Sequence, residues 1–495
     1  MIEKAILAID QGTTSSRAIL FGLNGERLAT FQQEFTQYYP KNAWVEHDPE
    51  EIWQTTLTTS KQAVEYAKHQ NIKIQCIGIT NQRETTLVWH KKTGKPIYNA
   101  IVWQDRRTSV DCKGLSSHLE TIRNKTGLLL DPYFSATKID WILKNVDGAK
   151  PQADNDELAF GTIDTFLIWR LTSGKSHKTD ATNASRTSLY NIFENKWDDD
   201  LLTLFDIPKS ILPQVCNSAD DFGITDANVL GTELPITGVA GDQQAALFGQ
   251  CCFHPGDFKS TYGTGCFALL NTGETPLLSQ HNLLTTIGYQ INNKPVYALE
   301  GAIFTAGANV QWLRDSLGML ENAQQTKHLA ESLDYDHGVY MVPGFVGLGA
   351  PHWNPQARAS MFGMTRDTTP AHFARAALEA VCYQTNDLLD AMQLDGAKLQ
   401  NVWVDGGMVA NDWMCQFLSD ILNKTIYRPA MMESTALGAA YLAGLQFGLY
   451  KNLDDVLAHK ALESEFTPSI TSELRDKLIG NWHKAVQATL DFAKE

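Results

Sequence analysis

The sequence predicts an α/β protein built as a duplication, with its two halves meeting at one cleft. Three observations carry this. Apolar runs of strand length alternate with longer segments of helical signature. The chain of 495 residues is too long for one ordinary core. A strand–turn–strand unit with a Gly and Thr tip occurs once near the start, at 4–21, and again at 258–271. The stretch Phe248 to Asp257, with Gly249, Pro255 and Gly256, separates them. Residues 1–250 and 251–495 are therefore expected to be the two domains.

Taken in order, Lys4 to Ile9 is an apolar run, Gly12 with Thr13 to Ser16 makes a turn, and Arg17 to Phe21 resumes the strand. A capping Asp48, Pro49 at the first helical position and the acids Glu50 and Glu51 start a helix expected to reach about Lys68. A buried strand follows at Ile72 to Thr80, another near Ile97 to Trp103, and a helix at Phe134 to Lys144. Ile236 to Ala240 is an apolar strand running into Gly241-Asp242-Gln243-Gln244 and an Ala-rich helix. The second half repeats the hairpin and adds helices at Ala371 to Met392 and at Ser434 to Leu449, the latter expected to be capped by Ser434. Between them Asn401 to Asp405 is a short strand leading into Gly406-Gly407.

Composition narrows the function. Hydrophobic residues make up 43% and charged residues 20%, which excludes a disordered, collagenous or coiled-coil chain. With 41 Lys+Arg against 56 Asp+Glu, the net charge of -15 repels nucleic acid and anionic membranes. A phosphate-bearing ligand must then be met locally, by backbone amides, a few Arg or Lys and a divalent cation. No stretch reaches the ~18 apolar residues of a membrane span, and the N-terminal run has no signal-peptide pattern. The eight cysteines show no Cys-x-x-Cys spacing, so they read as reduced thiols of a cytoplasmic protein.

Common nucleotide and hydrolase motifs are absent. Gly174-Lys175-Ser176 lacks the upstream Gly of a P-loop, since Trp169 stands there. No Gly-x-Gly-x-x-Gly, His-Glu-x-x-His, Gly-x-Ser-x-Gly or His-Arg-Asp occurs. What remains is Asp10-Gln-Gly-Thr-Thr-Ser-Ser-Arg17, which places an acid at a strand end beside a flexible Gly, four hydroxyls and a cation. This set suits metal-bound polyphosphate: Asp10 for Mg²⁺, directly or through water, Thr13, Thr14 and Ser15 for phosphate oxygens, and Arg17 for charge. A plain polar turn is the alternative. Tyr262-Gly-Thr-Gly-Cys266 is a second such turn, and Asp405-Gly-Gly407 offers bare backbone to a flat ring or a phosphate. Asp242 stands at the carboxyl end of a strand, where α/β folds place chemistry, or else caps a helix. Arg83-Glu84 follows a strand too, and reads as a substrate clamp or a solvated pair. Trp103 and Tyr133 read by default as core or rim aromatics.

Together these segments resemble the FGGY carbohydrate kinases, and within them the glycerol-kinase branch. The resemblance rests on Asp10–Arg17, Trp44-Val-Glu-His-Asp-Pro49, Thr80-Asn-Gln-Arg-Glu-Thr85, Asp131-Pro-Tyr-Phe134, Gly241-Asp-Gln-Gln244, Tyr262-Gly-Thr-Gly-Cys-Phe267, Asp405-Gly-Gly407 and Ala436-Leu-Gly-Ala-Ala-Tyr441, in order along nearly the whole chain. It implies two RNase H-like domains of the actin, Hsp70 and sugar-kinase type, closing over an active-site cleft. Glycerol would lie mainly on the first domain and MgATP mainly on the second. Carried over by motif, glycerol would contact Arg83, Glu84, Tyr133, Asp242 and Gln243, with Trp103 and Phe267 against its carbon edge. ATP would use Thr13, Thr14, Ser15, Arg17, Thr264, Gly307, Gln311, Gly407 and Asn411, and Asp10 would bring in Mg²⁺. Asp242 would be the general base for transfer to the 3-hydroxyl, giving glycerol 3-phosphate for catabolism or lipid synthesis.

The resemblance also implies a homo-oligomer, dimer or tetramer. Two departures bear on control. Glu233, in Asn228-Val-Leu-Gly-Thr-Glu233, stands where members regulated by a sugar bisphosphate carry an Arg, and no His lies between His177 and His254 to be phosphorylated. Two other readings stay open: a kinase of the same family for another polyol or sugar, and a nucleotide-driven scaffold.

Overall fold

The computed structural model describes residues 3–493. In the first half, β1 (Glu3–Gln11) and β2 (Ser15–Gly22) form a hairpin with Asp10 opposite Arg17, and β3 (Arg27–Glu34) continues it antiparallel. The tip is only 12–14, so Ser15 and Ser16 belong to the strand. Ser16 is buried and bonds Thr55 rather than facing a ligand. The helix α1 (Pro49–His69) starts as the sequence dictates, with Asp48 accepting from Glu50 N and Pro49 at its head. Its Ile52, Trp53, Ala63 and Val64 are buried against β2 and β3. Strand β4 (Ile72–Asn81) lies parallel to β1, and helix α2 (Ser135–Asn145) follows. The half closes with β5 (Ala219–Ile224), β6 (Pro235–Gly241) and α3 (Asp242–Gly249).

The second half repeats the plan. Its hairpin is β7 (Phe258–Tyr262) and β8 (Cys266–Gly273), followed by β9 (Leu284–Ile291), β10 (Lys294–Ile303) and α4 (Gly307–Asp315). The long helix α5 (Pro370–Leu394) precedes β11 (Val402–Asp405), α6 (Asp412–Leu422), β12 (Ile426–Pro429), α7 (Ser434–Phe447) and β13 (Leu462–Phe466). The two sheets run β5-β6-β4-β1-β2-β3 and β9-β10-β8-β7-β11-β12-β13. In each, an antiparallel hairpin pairs through its first strand with a parallel strand from a crossover: β1 with β4, and β7 with β11. Parallel edges put the strand ends Asp10, Asn81 and Gly241 together in one half, and Asp405 beside the second hairpin in the other.

The halves are interlocked. Helix α7 comes from the second half, yet it packs on β1, β4 and β6 of the first sheet and against α3. That approach is backbone to backbone: a Cβ on Gly438 would stand 1.8 Å from Ala245 O, and one on Gly249 would stand 2.0 Å from Ser434 O. The eight cysteines are free and buried. No helix among the described residues is long and apolar enough to cross a membrane.

Two expected elements differ. The strand near Ile97 to Trp103 shrinks to Ala100–Ile101, because its ladder with Glu46–His47 is two residues long and its other edge meets 86–89 only at the isolated bridges Ile101–Thr86 and Pro96–Trp89. Ser434 does not cap α7. It is the first helical residue, after Glu433, and its hydroxyl donates to Asp405 Oδ2 instead.

Candidate active site

One side of the cleft is built on the turn after β4. Arg83 and Glu84 are buried, 3% and 1% exposed, which excludes the solvated-pair reading. Glu84 sits at φ 58°, a left-handed conformation that costs a non-glycine residue about 1–3 kcal/mol and is held by its surroundings. Arg83 uses every donor of its fork. Nη1 and Nη2 donate to Glu300 Oε2 and Oε1, the latter at 3.1 Å. Nη1 also reaches Gln244 Oε1 at 3.2 Å, Nη2 reaches the Tyr133 hydroxyl at 3.3 Å, and Nε lies 3.2 Å from Asp242 Oδ1. Burial opposes its charge, but Glu300, with Tyr133, Glu84 and Asp242, holds the guanidinium protonated.

Asp242 is the first residue of α3, with Gly241 at the cap position, so the capping alternative fails. Its Oδ1 accepts from its neighbour Gln243 N at 2.7 Å, and its side chain stays 30% exposed to the cleft. Burial raises its pKa above the ordinary 3.8 of aspartate, with Arg83 pulling the other way. Gln243 is oriented by Lys259, a buried residue of β7 whose Nζ donates to Gln243 Oε1 at 2.7 Å; the amide Nε2 is left as its donor. Trp103 packs edge-on to Tyr133 at 5.8 Å and to Phe267 at 6.2 Å, so aromatics from both halves form one wall.

The same Trp103 donates from Nε1 to Thr13 Oγ1 at 3.0 Å, joining that wall to the first hairpin. Thr14 is exposed at the tip, and Ser15 Oγ accepts from Gln32 at 3.1 Å. Gln37 and Gln82 brace the tip from below, donating to Thr13 O at 2.9 Å and Gly12 O at 3.2 Å. Both also hold buried His47, whose Nε2 lies 2.7 Å from Gln37 Oε1 and whose Nδ1 lies 3.4 Å from Gln82 Nε2. That arrangement suits neutral imidazole, and burial pushes its pKa down to about 4. An unfolded chain takes up this proton near pH 6.5, so the folded state loses stability as pH falls from 6.5 toward 4. A thermal scan against pH should show this loss, and His47→Gln should reduce it, with buried His177, whose pKa burial also pushes down to about 4, carrying the remainder.

A chain of polar contacts then crosses between the halves. Arg17 pairs with Asp10 through Nη2 and with Glu433 Oε2 at 2.8 Å through Nη1; the adjacent Ser434 bonds Asp405. Burial raises the Asp10 pKa, opposed by Arg17. Asp405 Oδ1 is buried without a partner.

On the second half, the hairpin tip is tied to α4. Gly307 N donates to Gly263 O at 2.9 Å and Ala306 N to Thr264 O at 2.9 Å, leaving Thr264 exposed. Gln311 lies exposed one turn along α4. Gly406 adopts φ 94° and lies so close to the hairpin that a Cβ would stand 2.4 Å from Tyr262 O, whereas Gly407 is exposed with open space above it. Asn411 caps α6 and its Nδ2 reaches Thr326 at 3.3 Å. These contacts join Arg83, Glu84, Tyr133, Asp242, Trp103 and Phe267, with Thr13 linked through Trp103; Thr264, Gly307 and Gly407 lie at or beside the second hairpin, and Gln311 and Asn411 lie farther along on α4 and at the head of α6. Sequence reasoning missed Glu300, Arg186, Lys259 and the bracing glutamines. The first three carried one signal, a charged side chain in or beside a segment otherwise buried.

Two family models match the chain: the FGGY carbohydrate-kinase N-terminal domain over residues 5–249 and the C-terminal domain over residues 258–447. A glycerol kinase of Marinomonas sp. is 56% identical over 97% of this chain and 98% of that protein; one of Rhodospirillum centenum is 56% identical over 99% of each. Among solved structures, Plasmodium falciparum glycerol kinase with ADP superposes with a TM-score of 0.94, at 38% identity over 99% of this chain and 98% of that one. The duplicated sheets, the two hairpins and these matches agree, and the chain belongs to the FGGY family of carbohydrate kinases and, within it, to the glycerol kinases.

Proposed function

We infer that this enzyme transfers the terminal phosphoryl group of ATP to the 3-hydroxyl of glycerol. The observation that carries the reading is the convergence of Arg83, Tyr133 and Asp242 beneath an aromatic wall, next to the hairpin tip. A triol needs hydroxyl partners that donate and accept: Tyr133 and Gln243 donate, the carboxylates of Glu84 and Asp242 accept, and Arg83 donates by exchanging its longer contacts, Gln244 at 3.2 Å and Tyr133 at 3.3 Å. Trp103 and Phe267 cover its carbon edge. Asp242 takes the proton as the hydroxyl attacks; positioning and charge neutralisation supply the rest of the acceleration. Thr13, Thr14, Ser15 and Thr264 serve the phosphates with Arg17, while Gly307, Gln311, Gly407 and Asn411 serve the nucleotide.

The residues fit Mg²⁺. Asp10 is a hard oxygen donor at a strand end, and across the Arg17–Glu433–Ser434 link Asp405 offers a buried oxygen without a partner. Asp10 and Asp405 would hold the ion, which would supply neutralisation of phosphate charge. Arg17, shared by Asp10 and Glu433, is the cation of this hairpin that would face the phosphates. The same reading divides the chain at 250/251, with glycerol mainly on the first domain and ATP on the second, and makes the protein a cytoplasmic homo-oligomer.

The test is ADP release with Mg²⁺ and ATP over glycerol and propane-1,2-diol. Loss of one hydroxyl leaves buried polar groups unpaired, so kcat/KM should fall by about 10⁴-fold or more. Equal turnover of both would contradict a glycerol site.

A further inference from the structure

We propose that Glu300, from the opposite domain, and Arg186 are positioning residues for glycerol phosphorylation, which hold the polyol clamp and keep the Arg83 fork off the base. The proposal rests on the glycerol reading above. Glu300 lies on β10 of the second half, opposite Leu269 of β8, and is the acidic residue of a largely apolar strand, 1% exposed. Its carboxylate receives the Arg83 fork at both oxygens, and Oε1 also accepts from Arg186 Nη2 at 2.9 Å. Arg186 is fully buried; its Nε donates to Glu84 Oε1 at 2.6 Å, and its guanidinium lies over the Phe134 ring at 5.3 Å. Two arginines and two glutamates thus form a ring, Arg83–Glu300–Arg186–Glu84, closed by the 3.9 Å ion pair of Arg83 Nε with Glu84 Oε1, in which both clamp residues are each held by a residue outside the clamp.

The consequence concerns Asp242. Arg83 has a forked face and a single Nε–H, and a bidentate carboxylate takes the fork by preference. Glu300 occupies it, so Asp242 meets only Nε, at 3.2 Å, and keeps an oxygen for the acceptor hydroxyl. With Glu300 neutralised, Asp242 and Glu84 are the carboxylates left within reach of Arg83. The fork turns onto Asp242, which becomes a weaker base, and Tyr133 loses its partner. The other charges acting on Asp242, Lys259 from β7 and Asp10 from β1, stay in place.

The experiment compares wild type, Glu300→Gln and Glu300→Asp for glycerol KM, kcat against pH, ADP affinity and Tm. We expect Glu300→Gln to raise the glycerol KM by about tenfold or more, to lower kcat, and to move the acid limb of kcat to lower pH, with ADP affinity held within about twofold. Glu300→Asp should restore the limb in part. If Glu300→Gln does not fold, Arg186→Lys, which keeps the charge and loses the two-sided contact, should raise glycerol KM with ADP affinity unchanged. An unshifted limb and glycerol KM, or an equal loss of glycerol and ADP affinity with lowered Tm, would overturn the proposal. Absence of glycerol-dependent turnover in the wild type would instead overturn the glycerol reading itself.

Discussion

Replacing Asp242 with Asn is expected to lower kcat by about 10²–10⁴-fold while ADP affinity and Tm stay unchanged. An alcohol is a poor nucleophile until its proton is taken, and Asp242 is the carboxylate that opens α3 at the cleft with both its protein contacts on Oδ1. Asn keeps that oxygen for Gln243 N and Arg83 Nε, so the clamp geometry survives and only the proton acceptor is lost. The wild type carries a second signature. A base must be ionised, so kcat falls as pH drops through the Asp242 pKa, and burial places that limb above the ordinary aspartate value of 3.8. The variant should show no such limb. Stopped-flow or coupled ADP assays over pH, with calorimetric ADP titration, check both statements; a variant that retains wild-type kcat would remove Asp242 from the chemistry.

Gly438→Ala is expected to be among the most damaging single methyl additions to this fold. The added carbon would stand 1.8 Å from Ala245 O, a backbone atom of α3 that no rotamer change can clear. The two helices must separate by more than an ångström, in an interior packed to crystal density. Overpacking of this kind costs about 1–3 kcal/mol, and backbone contact puts it at the upper end. The site suffers as well, because α3 begins at Asp242 and α7 begins beside Glu433, the partner of Arg17. A 1 Å displacement of reacting groups costs about 10²-fold in rate. Soluble yield, Tm and kcat measure the outcome. A variant with unchanged Tm and kcat would show that α3 and α7 are not locked together.

The hairpins were legible because their information is local: an acid, a glycine and hydroxyls between two apolar runs can do little but turn. Helix α1 was legible for the same reason, since Asp48, Pro49 and the acids after them write its start. The stretch around Ile97 to Trp103 misled, as an apolar run encodes burial without saying that its ladder partner is two residues long. Ser434 misled because a hydroxyl at a helix start satisfies an Asp405 oxygen as readily as a backbone amide, and Asp405 is distant in sequence. Arg83 and Glu84 stood out after a strand end, but the choice between clamp and solvated pair rested on resemblance, because an adjacent ion pair has no local mark of burial. Glu300 had one, a lone acid in Val-Tyr-Ala-Leu-Glu-Gly-Ala-Ile, yet its partners Arg83 and Arg186 lie over a hundred residues away. The packing of α7 on the first sheet is non-local throughout.

The central claim is that the phosphoryl group passes from ATP to a polyol held in this cleft. It is tested most directly by following the phosphorus itself, with ³¹P NMR of the purified protein in Mg²⁺, ATP and glycerol. The account predicts that the signal lost from the terminal phosphate of ATP appears as sn-glycerol 3-phosphate, with inorganic phosphate minor and Asp242→Asn nearly silent. Inorganic phosphate released at the same rate with and without glycerol would contradict it, and would mark the cleft as that of an ATPase whose acceptor is water.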